Sequence, residues 1–353
     1  MKTMGQKYAL YGAIVILSLM VPWLMPAYQT QFAFLWVMVV FALTWDIVGG
    51  QMGYNSFGNV VFFGVGMYVT AVVQRNMHFS IEEYVHVAGR VESLSPGDYL
   101  AGLFLGMGAG AVVAVAMAAG LGVCILGMGM RGQYFGICTL GLGVAAGELA
   151  SGWEYIGAGS GLVTPVFPDQ LGERGAFFYY IFFILAVVTF LLLRWLYAGR
   201  FGLAINAIRD DEDKAEAMGI HTTRYKIIAW CISAFFLSIA GGGVGHLIGF
   251  IDPTEVAFAG PTFGVWMILM AILGGKGTLW GPVIGAVIFH VTQELFWTYL
   301  FGWQRVALGA LIVAIVVFFP MGLMGWMRER WPERFGHRVE ERDVSGVVEG
   351  GGS

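Results

Sequence analysis

The sequence predicts an all-α protein, a polytopic bundle of transmembrane helices. Three observations support this fold class. Of the 353 residues, 58% are hydrophobic, the mean hydropathy is +0.74, and apolar runs of about 18 residues or more recur along the chain. The chain also contains 53 glycines, a share well above the usual ~7%. Small residues let membrane helices approach closely, so we interpret the glycines first as packing residues.

About ten apolar runs are candidates for helices that cross the bilayer. The predicted spans lie near residues 8–27, 32–49, 56–74, 99–127, 133–150, 177–197, 227–250, 262–274, 279–300 and 305–323. The 262–274 run is short for a span, so we expect it to be broken or tilted. The first run contains Pro22 and Pro26 and no clear small-x-small cleavage site, which favours an uncleaved span over a signal peptide.

The basic residues predict the orientation of the bundle. With Lys2 and Lys7 inside, alternation of the spans also places Arg131 and Lys276 in the cytoplasm, as the positive-inside rule requires. Both termini are then cytoplasmic. The connections predicted to lie outside are 75–98, 151–176 and 251–261.

Two regions follow from this pattern. Residues 1–326 form the predicted membrane domain. Residues 327–353 lack apolar periodicity and are predicted to be a disordered cytoplasmic tail.

A charged island from Gly199 to Lys226 interrupts the apolar runs and must lie outside the bilayer. Ten of its residues are charged, whereas only 12% of the whole chain is charged. Residues 207–218 are rich in helix formers, and Gly219 follows where a helix would end. We therefore predict one short helix with a glycine stop.

Helical spacing would bring Ile208, Ala215 and Met218 close together and leave the acids and Arg209 on other faces. Such a helix would serve as a docking knob. A solvated loop helix that touches nothing is the alternative. An ordered loop of this length is unusual, which favours a functional role.

Motifs of catalysis and nucleotide binding are absent from the sequence. Gly274 to Thr278 lacks the spacing and the strand context of a phosphate loop. The sequence contains neither an HExxH metal motif nor a G-x-S-x-G elbow. We expect a chain that is not an enzyme, binds no ATP, metal or other cofactor itself, and has no nucleic-acid partner.

Polar residues within apolar spans are costly and often line a pathway. Asn55, Ser56 and Asn59 lie in a glycine-rich stretch whose backbone could open toward a substrate. Glu294 lies deep in the ninth predicted span. We predict these four as tentative substrate-pathway residues, with helix packing as the alternative for the first three.

Two other intramembrane polar residues favour structural roles. Asp46 lies near the cytoplasmic end of the second span, so pairing there is favoured over binding of an ammonium group. His246 lies among several glycines. A hydrogen bond to neighbouring backbone is favoured there over substrate contact.

Several stretches together resemble the branched-chain amino acid permeases of ABC importers. Residues 207–220, A-I-R-D-D-E-D-K-A-E-A-M-G-I, followed by Tyr225-Lys226, resemble their cytoplasmic coupling loop. Residues 50–68 match G-x-x-G-x-x-S-x-G-x-x-x-F-x-G-x-G-x-Y, and residues 131–140 match R-G-x-Y-F-x-I-x-T-L. Residues 273–286 match L-G-G-x-G-T-x-x-G-P-x-x-G-A, whereas residues 157–161 lack the threonine of the corresponding outer-loop motif.

The resemblance implies the longer of two permease subunits in a bacterial-type cytoplasmic (inner) membrane. It further implies a second permease subunit, two cytoplasmic ATPase subunits that bind ATP and Mg, and an extracytoplasmic substrate-binding protein docking near 151–176 and 251–261. Coupling to the ATPase would run through residues 206–219. The coupling residues that this implies are Arg209, Asp210, Asp211, Glu212, Ala215, Glu216, Ala217, Met218 and Gly219.

Two other functions stay open at this point. Asn55 and Asn59 depart from the commoner residues of the family pattern, so the cargo could be urea, a short amide or another small solute. A secondary transporter or channel that works without ATP is the third hypothesis. The charged island argues against it.

Overall fold

A computed structural model describes residue 12 and residues 15–79, 94–300, 302–303, 306–310, 313, 317 and 322–330. Within these ranges the chain is almost entirely helical, which confirms the predicted all-α bundle. Seven of the described helices are long and apolar enough to cross a membrane. The first and last predicted spans, 8–27 and 305–323, fall partly outside the described residues. The ten-span count and the cytoplasmic termini therefore stay predictions.

The described elements include twelve α-helices, seven short 3₁₀- or π-helical turns and two short strands. The helices are α1 (Val15–Leu24), α2 (Gln29–Asp46), α3 (Asn59–His78), α4 (Pro96–Gly127), α5 (Gly132–Ser151), α6 (Arg174–Ala198), α7 (Arg200–Asp210), α8 (Glu212–Ala217), α9 (Thr222–Ile248), α10 (Val265–Gly274), α11 (Gly281–Tyr299) and α12 (Gly322–Arg330). The strands β1 (Leu162–Val163) and β2 (Phe250–Ile251) pair antiparallel. Helix α12 extends beyond the predicted boundary at residue 326, and residues 331–353 lie outside the described ranges.

The centre of the bundle is the mutual packing of α3, α4 and α9. Glycines make the closest of these contacts. A Cβ atom on Gly66 would lie 2.0 Å from the Ser238 carbonyl oxygen, and one on Gly241 would lie 2.0 Å from the Phe63 carbonyl oxygen. The backbones of α3 and α9 therefore touch directly, as the packing interpretation of the glycines predicts.

The eighth predicted span, 262–274, is one unbroken helix, because the π-helical turn Gly260–Gly264 leads directly into α10. The interruption lies just before it, at the non-helical Phe258 and Ala259, which follow a second π-helical turn, Pro253–Ala257. Pro261 contributes to this interruption because proline has no backbone N–H to donate to the preceding turn. A third π-helical turn, Ile47–Gln51, follows α2.

The predicted alternation of loops agrees with the folded arrangement. Residues 52–58, Arg131, the charged island and the 275–280 turn meet at one end of the bundle, which we name the cytoplasmic end after its predicted orientation. The loops predicted to lie outside meet at the opposite, outer end.

The outer end is held mainly by backbone pairing and by hydrogen bonds from side chains. Arg75, at the end of α3, donates to the Tyr155 carbonyl at 3.0 Å, and Asn76 donates to the Tyr155 hydroxyl at 2.7 Å. The β1–β2 ribbon joins the loop after α5 to the end of α9. These contacts fix the outer loops against the membrane helices.

Candidate functional site

The charged island folds into two helices, so the prediction of a single helix over 207–218 is wrong. Helix α7 ends at Asp210, and Asp211 adopts an extended conformation. Its carboxylate accepts a hydrogen bond from the Lys214 backbone N–H at 3.1 Å and so caps α8. Aspartate is among the residues most favoured at this position, and here the cap overrides helix propensity. The predicted glycine stop is present, since Gly219 has φ +86° just after α8.

The two helices bury one face and expose a tip. Ile208 and Ala215, two of the three residues predicted to lie close together, are buried. Met218, the third, is 84% exposed, because it lies after the last turn of α8. The predicted coupling residues that are exposed are Arg209, Asp210, Glu216, Ala217, Met218 and Gly219.

Glu212 anchors α8 to the bundle. Its carboxylate lies 2.6 Å from the Lys226 ammonium of α9 and accepts a hydrogen bond from the Tyr54 hydroxyl. Lys226 also donates to that hydroxyl at 3.1 Å, with its nitrogen 4.8 Å from the centre of the Tyr54 ring. The side chain of Lys226 is only 2% exposed and that of Glu212 11%. The anchor is therefore a buried ion pair bridged by a tyrosine.

Arg131 adds a second connection, from the turn between α4 and α5. Its guanidinium lies 2.6 Å from the Asp213 carboxylate and 3.6 Å from that of Glu212. The hydrogen bond to Asp213 and the charge of Glu212 raise the pKa of Arg131. Arg131 is half-exposed, so this contact is weaker than the buried one.

Opposing effects set the charge state of the anchor. Burial alone would raise the pKa of Glu212, but hydrogen bonds from Lys226 and Tyr54 and the charges of Lys226 and Arg131 outweigh it. The pKa of Glu212 therefore lies below its ordinary value of 4.5. Burial, and then the hydrogen bond to Glu212, raise the pKa of the Tyr54 hydroxyl well above its usual range. At neutral pH the carboxylate is ionised and the phenol is neutral.

Asp46 forms a second contact at the cytoplasmic end. Its carboxylate accepts a hydrogen bond from the Gly277 backbone N–H at 2.7 Å, which links α2 to the turn before α11. Gly50 makes room for this bond, since a Cβ there would lie 1.8 Å from the Asp46 carboxylate oxygen. Asp46 is thus paired with the backbone of a loop rather than with a basic side chain.

The four predicted pathway residues do not form one cluster. Asn59 is buried between α3 and α9, donating to the Ser233 hydroxyl and accepting from the Trp230 indole N–H, each at 3.1 Å. Asn55 is exposed, and Ser56 is fully buried. Glu294 is half-buried on α11, about 20 Å along that helix from its cytoplasmic start. Their role in the pathway stays a prediction.

The Ser56 hydroxyl is the least satisfied of these groups. It has no hydrogen-bond partner among the described residues, although its backbone carbonyl accepts from the Trp45 indole N–H at 2.8 Å. His246, by contrast, bonds through both ring nitrogens, to the Gly242 carbonyl at 2.8 Å and to the Gln74 side chain. That geometry matches the structural role favoured for His246.

Sequence reasoning missed the residues that hold the knob. Tyr54 and Lys226 both lie inside stretches that carry the family resemblance, but neither was assigned a role. A lysine at the start of an apolar helix was the available signal, because a buried ammonium needs an acidic partner. Within the described ranges, no group of three His, Cys, Asp or Glu residues could hold a metal ion.

Comparison with known proteins gives two consistent findings. The profile of a family described as the permease component of branched-chain amino acid transport systems matches residues 29–316. The high-affinity branched-chain amino acid transport system permease protein LivM of Salmonella typhimurium is 24% identical over 87% of this chain and 72% of its own length. LivM of Escherichia coli is 24% identical over 92% and 76%.

A second kind of relative matches a shorter region. The permease protein LivH of Salmonella typhimurium is 30% identical over 147 residues, which are 40% of this chain and 46% of LivH. No solved structure matches the chain.

Proposed function

Because this chain belongs to the family of branched-chain amino acid transport permeases, we propose that it is a permease subunit of an ATP-driven ABC importer for branched-chain or related amino acids. It is a multi-pass membrane protein. The LivM proteins match over most of its length, which supports the longer-subunit assignment. We place it in the cytoplasmic (inner) membrane beside a second permease subunit of the LivH kind.

The observation that carries this proposal is the construction of the α7–α8 knob. Its root is buried and ion-paired to α9 through Glu212 and Lys226, whereas its tip at Met218 projects away from the bundle. Methionine and arginine are enriched in protein interfaces relative to the rest of the surface, and both Arg209 and Met218 are exposed on the knob. The knob is thus suited to receive a partner and to pass its movement to the membrane helices.

In the proposed cycle, chemical energy enters through that partner. Two cytoplasmic ATPase subunits bind ATP with Mg and close, the knob moves with them, and the bundle alternates between outward and inward access. This chain carries no nucleotide itself. A substrate-binding protein delivers the amino acid at the outer loops, 151–176 and 251–261, and most of the specificity lies in that protein.

The test is reconstitution of this chain with its second permease, ATPase subunits and binding protein in liposomes. Met218→Glu and Gly219→Pro are expected to lower ATP-dependent uptake and ATPase association together, while the chain still inserts and stays folded. Met77→Glu is the matched control, because Met77 is also exposed but lies at the outer end of α3. Normal uptake and ATPase binding in both tip variants would contradict the proposal.

The alternative class of transported substrate can be tested in the same liposomes. Urea, short amides or another small solute remain the alternative because Asn55 and Asn59 depart from the family pattern. Asn59, however, is buried and already hydrogen-bonded to Ser233 and Trp230. We expect labelled leucine to be taken up and excess urea not to compete. Uptake that persists without ATP would instead favour a secondary transporter or channel.

A further inference from the structure

We propose that Tyr54, Glu212 and Lys226 form a positioning clamp through which movement of the knob reaches two membrane helices, α3 and α9. This inference rests on the proposed function and adds the route by which force enters the bundle. The clamp residues touch neither cargo nor nucleotide. They act by holding α8 in a fixed relation to the membrane helices.

Helix α8 needs such a clamp because it cannot hold its own position. It has six residues, and isolated helices shorter than about 12 residues are marginal in water. An extended Asp211 precedes it and a left-handed Gly219 follows it, so both covalent connections are turns rather than continuous helix. Its position therefore depends on side-chain contacts with the rest of the chain.

Lys226 connects the knob to α9. It lies in the first turns of that helix, and its ammonium is almost completely removed from solvent. If α8 moved without α9, Lys226 and Glu212 would each be left as a buried charge without its partner, which is strongly unfavourable. The pair therefore moves as one unit.

Tyr54 connects the knob to α2 and α3. It lies in the 52–58 connection, and its backbone N–H donates to the Val48 carbonyl at 2.9 Å, in the π-helical turn after α2. Its hydroxyl donates to Glu212 and accepts from Lys226, so one side chain joins both members of the ion pair. Displacement of Glu212 thus pulls on the residues that lead directly into α3.

Two other charged pairs of the knob have no such reach. Lys214 bonds to Asp211 at 2.8 Å and Arg209 to Asp210 at 3.0 Å, and both pairs lie within the knob and are exposed. Because these residues belong to the surface proposed to meet the ATPase, the control is taken outside the knob. Arg224 is exposed in the first turn of α9, and its variant changes the charge by the same amount as a variant of Lys226 but leaves the clamp intact.

The experiment uses the complete reconstituted transporter with Tyr54→Phe, Lys226→Met, Lys226→Arg and the control Arg224→Met. We measure amino acid transported per ATP hydrolysed, the affinity for the ATPase subunits and the thermal midpoint. In Tyr54→Phe and Lys226→Met the transport ratio should fall at least about tenfold, because each variant removes two hydrogen bonds of the clamp and the loss of one hydrogen bond to a charged group already corresponds to about that factor. ATPase affinity should not change. Lys226→Arg should recover part of the ratio, and Arg224→Met should match the wild type.

The outcomes separate the clamp from the proposed function. A wild-type transport ratio in both Tyr54→Phe and Lys226→Met overturns the clamp, as does a loss of ATPase affinity in those variants, since they would then be contact residues. If Lys226→Met fails to assemble, Tyr54→Phe decides alone, because it removes a single hydroxyl. Absence of ATP-dependent transport by the wild-type complex would instead overturn the proposed function.

Discussion

The two ends of the helix bundle are held by different kinds of contact. At the cytoplasmic end, the ion pairs found among the described residues all cluster on or beside the knob, with Glu212 at their centre. At the outer end, the contacts are backbone pairing in the β1–β2 ribbon and hydrogen bonds such as Arg75 to the Tyr155 carbonyl.

The difference indicates which end is built to change. Ion pairs depend on a few side chains, on pH and on salt, and a small displacement can break or exchange them. Backbone pairing and caps such as Asp252, which accepts from the Thr254 and Glu255 N–H groups, depend on the local chain path. The cytoplasmic end is therefore adjustable, whereas the outer loops keep a fixed position relative to the helices that carry them.

The largest effect is expected from filling the space beside Asp46 at the cytoplasmic end. Gly50→Val would place carbon atoms where the Asp46 carboxylate and the Gly277 N–H meet, and should cost about 3 kcal/mol through overpacking. Thermal unfolding of the purified protein measures this. Gly108→Val on the exposed face of α4, where a Cβ meets nothing within 4 Å, is the control and should be unchanged or slightly more stable.

A smaller effect is expected from the Gln74–His246 hydrogen-bond network nearer the outer end. Gln74→Leu removes the partner of a His246 ring nitrogen and the donor to the Tyr99 carbonyl, and should cost about 2 kcal/mol. The double variant with His246→Leu should recover part of this loss, because no imidazole is then left without a partner. A double variant that is less stable than Gln74→Leu would contradict this account.

The pH dependence of the stability that the clamp contributes is a further test of the contrast between the cytoplasmic and outer ends. The folded-state pKa of Glu212 lies below its ordinary value of 4.5, so its contribution to stability is fully present above pH 4.5 and is lost as the pH falls through the folded-state pKa. The difference in thermal midpoint between wild type and Glu212→Gln should therefore be largest at pH 7 and shrink in more acidic buffer. A difference that grows on acidification would show that the sign is wrong.

The smallest effect is expected for the exposed pair of Lys214 and Asp211. Lys214→Ala should leave the thermal midpoint unchanged within error, because exposed ion pairs contribute little. Since the hydrogen bond and charge of Lys214 lower the pKa of Asp211, removing Lys214 should raise that pKa, which NMR titration can measure. A large loss of stability would mean that the exposed pair supports the fold as the clamp does.

The bundle and the positions of its helices could be predicted from the sequence because lipid permits few alternatives. A long apolar run must form a helix, and a run as charged as 199–226 must leave the membrane. The glycine stop at Gly219 was equally predictable from local chemistry. These features depend on residues that are neighbours in the chain.

The candidate site was predictable only in part because it depends on residues far apart in sequence. The partners of Glu212 are Tyr54, 158 residues before it, and Lys226, 14 residues after it. Periodicity assigns a residue to a helix face but does not say which distant side chain meets it. The break at Asp211 was missed for another reason, since its capping role competes with a run of good helix formers.

The length of α9 has a mechanical consequence. Its 27 residues make a rod about 40 Å long, with Lys226 near one end and the β1–β2 ribbon at the other. Helix α3 lies alongside α9, in direct backbone contact at Gly66 and Gly241, so we expect the two helices to move together. If the two helices tilt together by about 10° about their middle, each end travels about 3.5 Å in opposite directions, given the rise per residue of an α-helix. A displacement at Glu212 is then matched by one of similar size at the opposite surface, where it carries the ribbon and its loops.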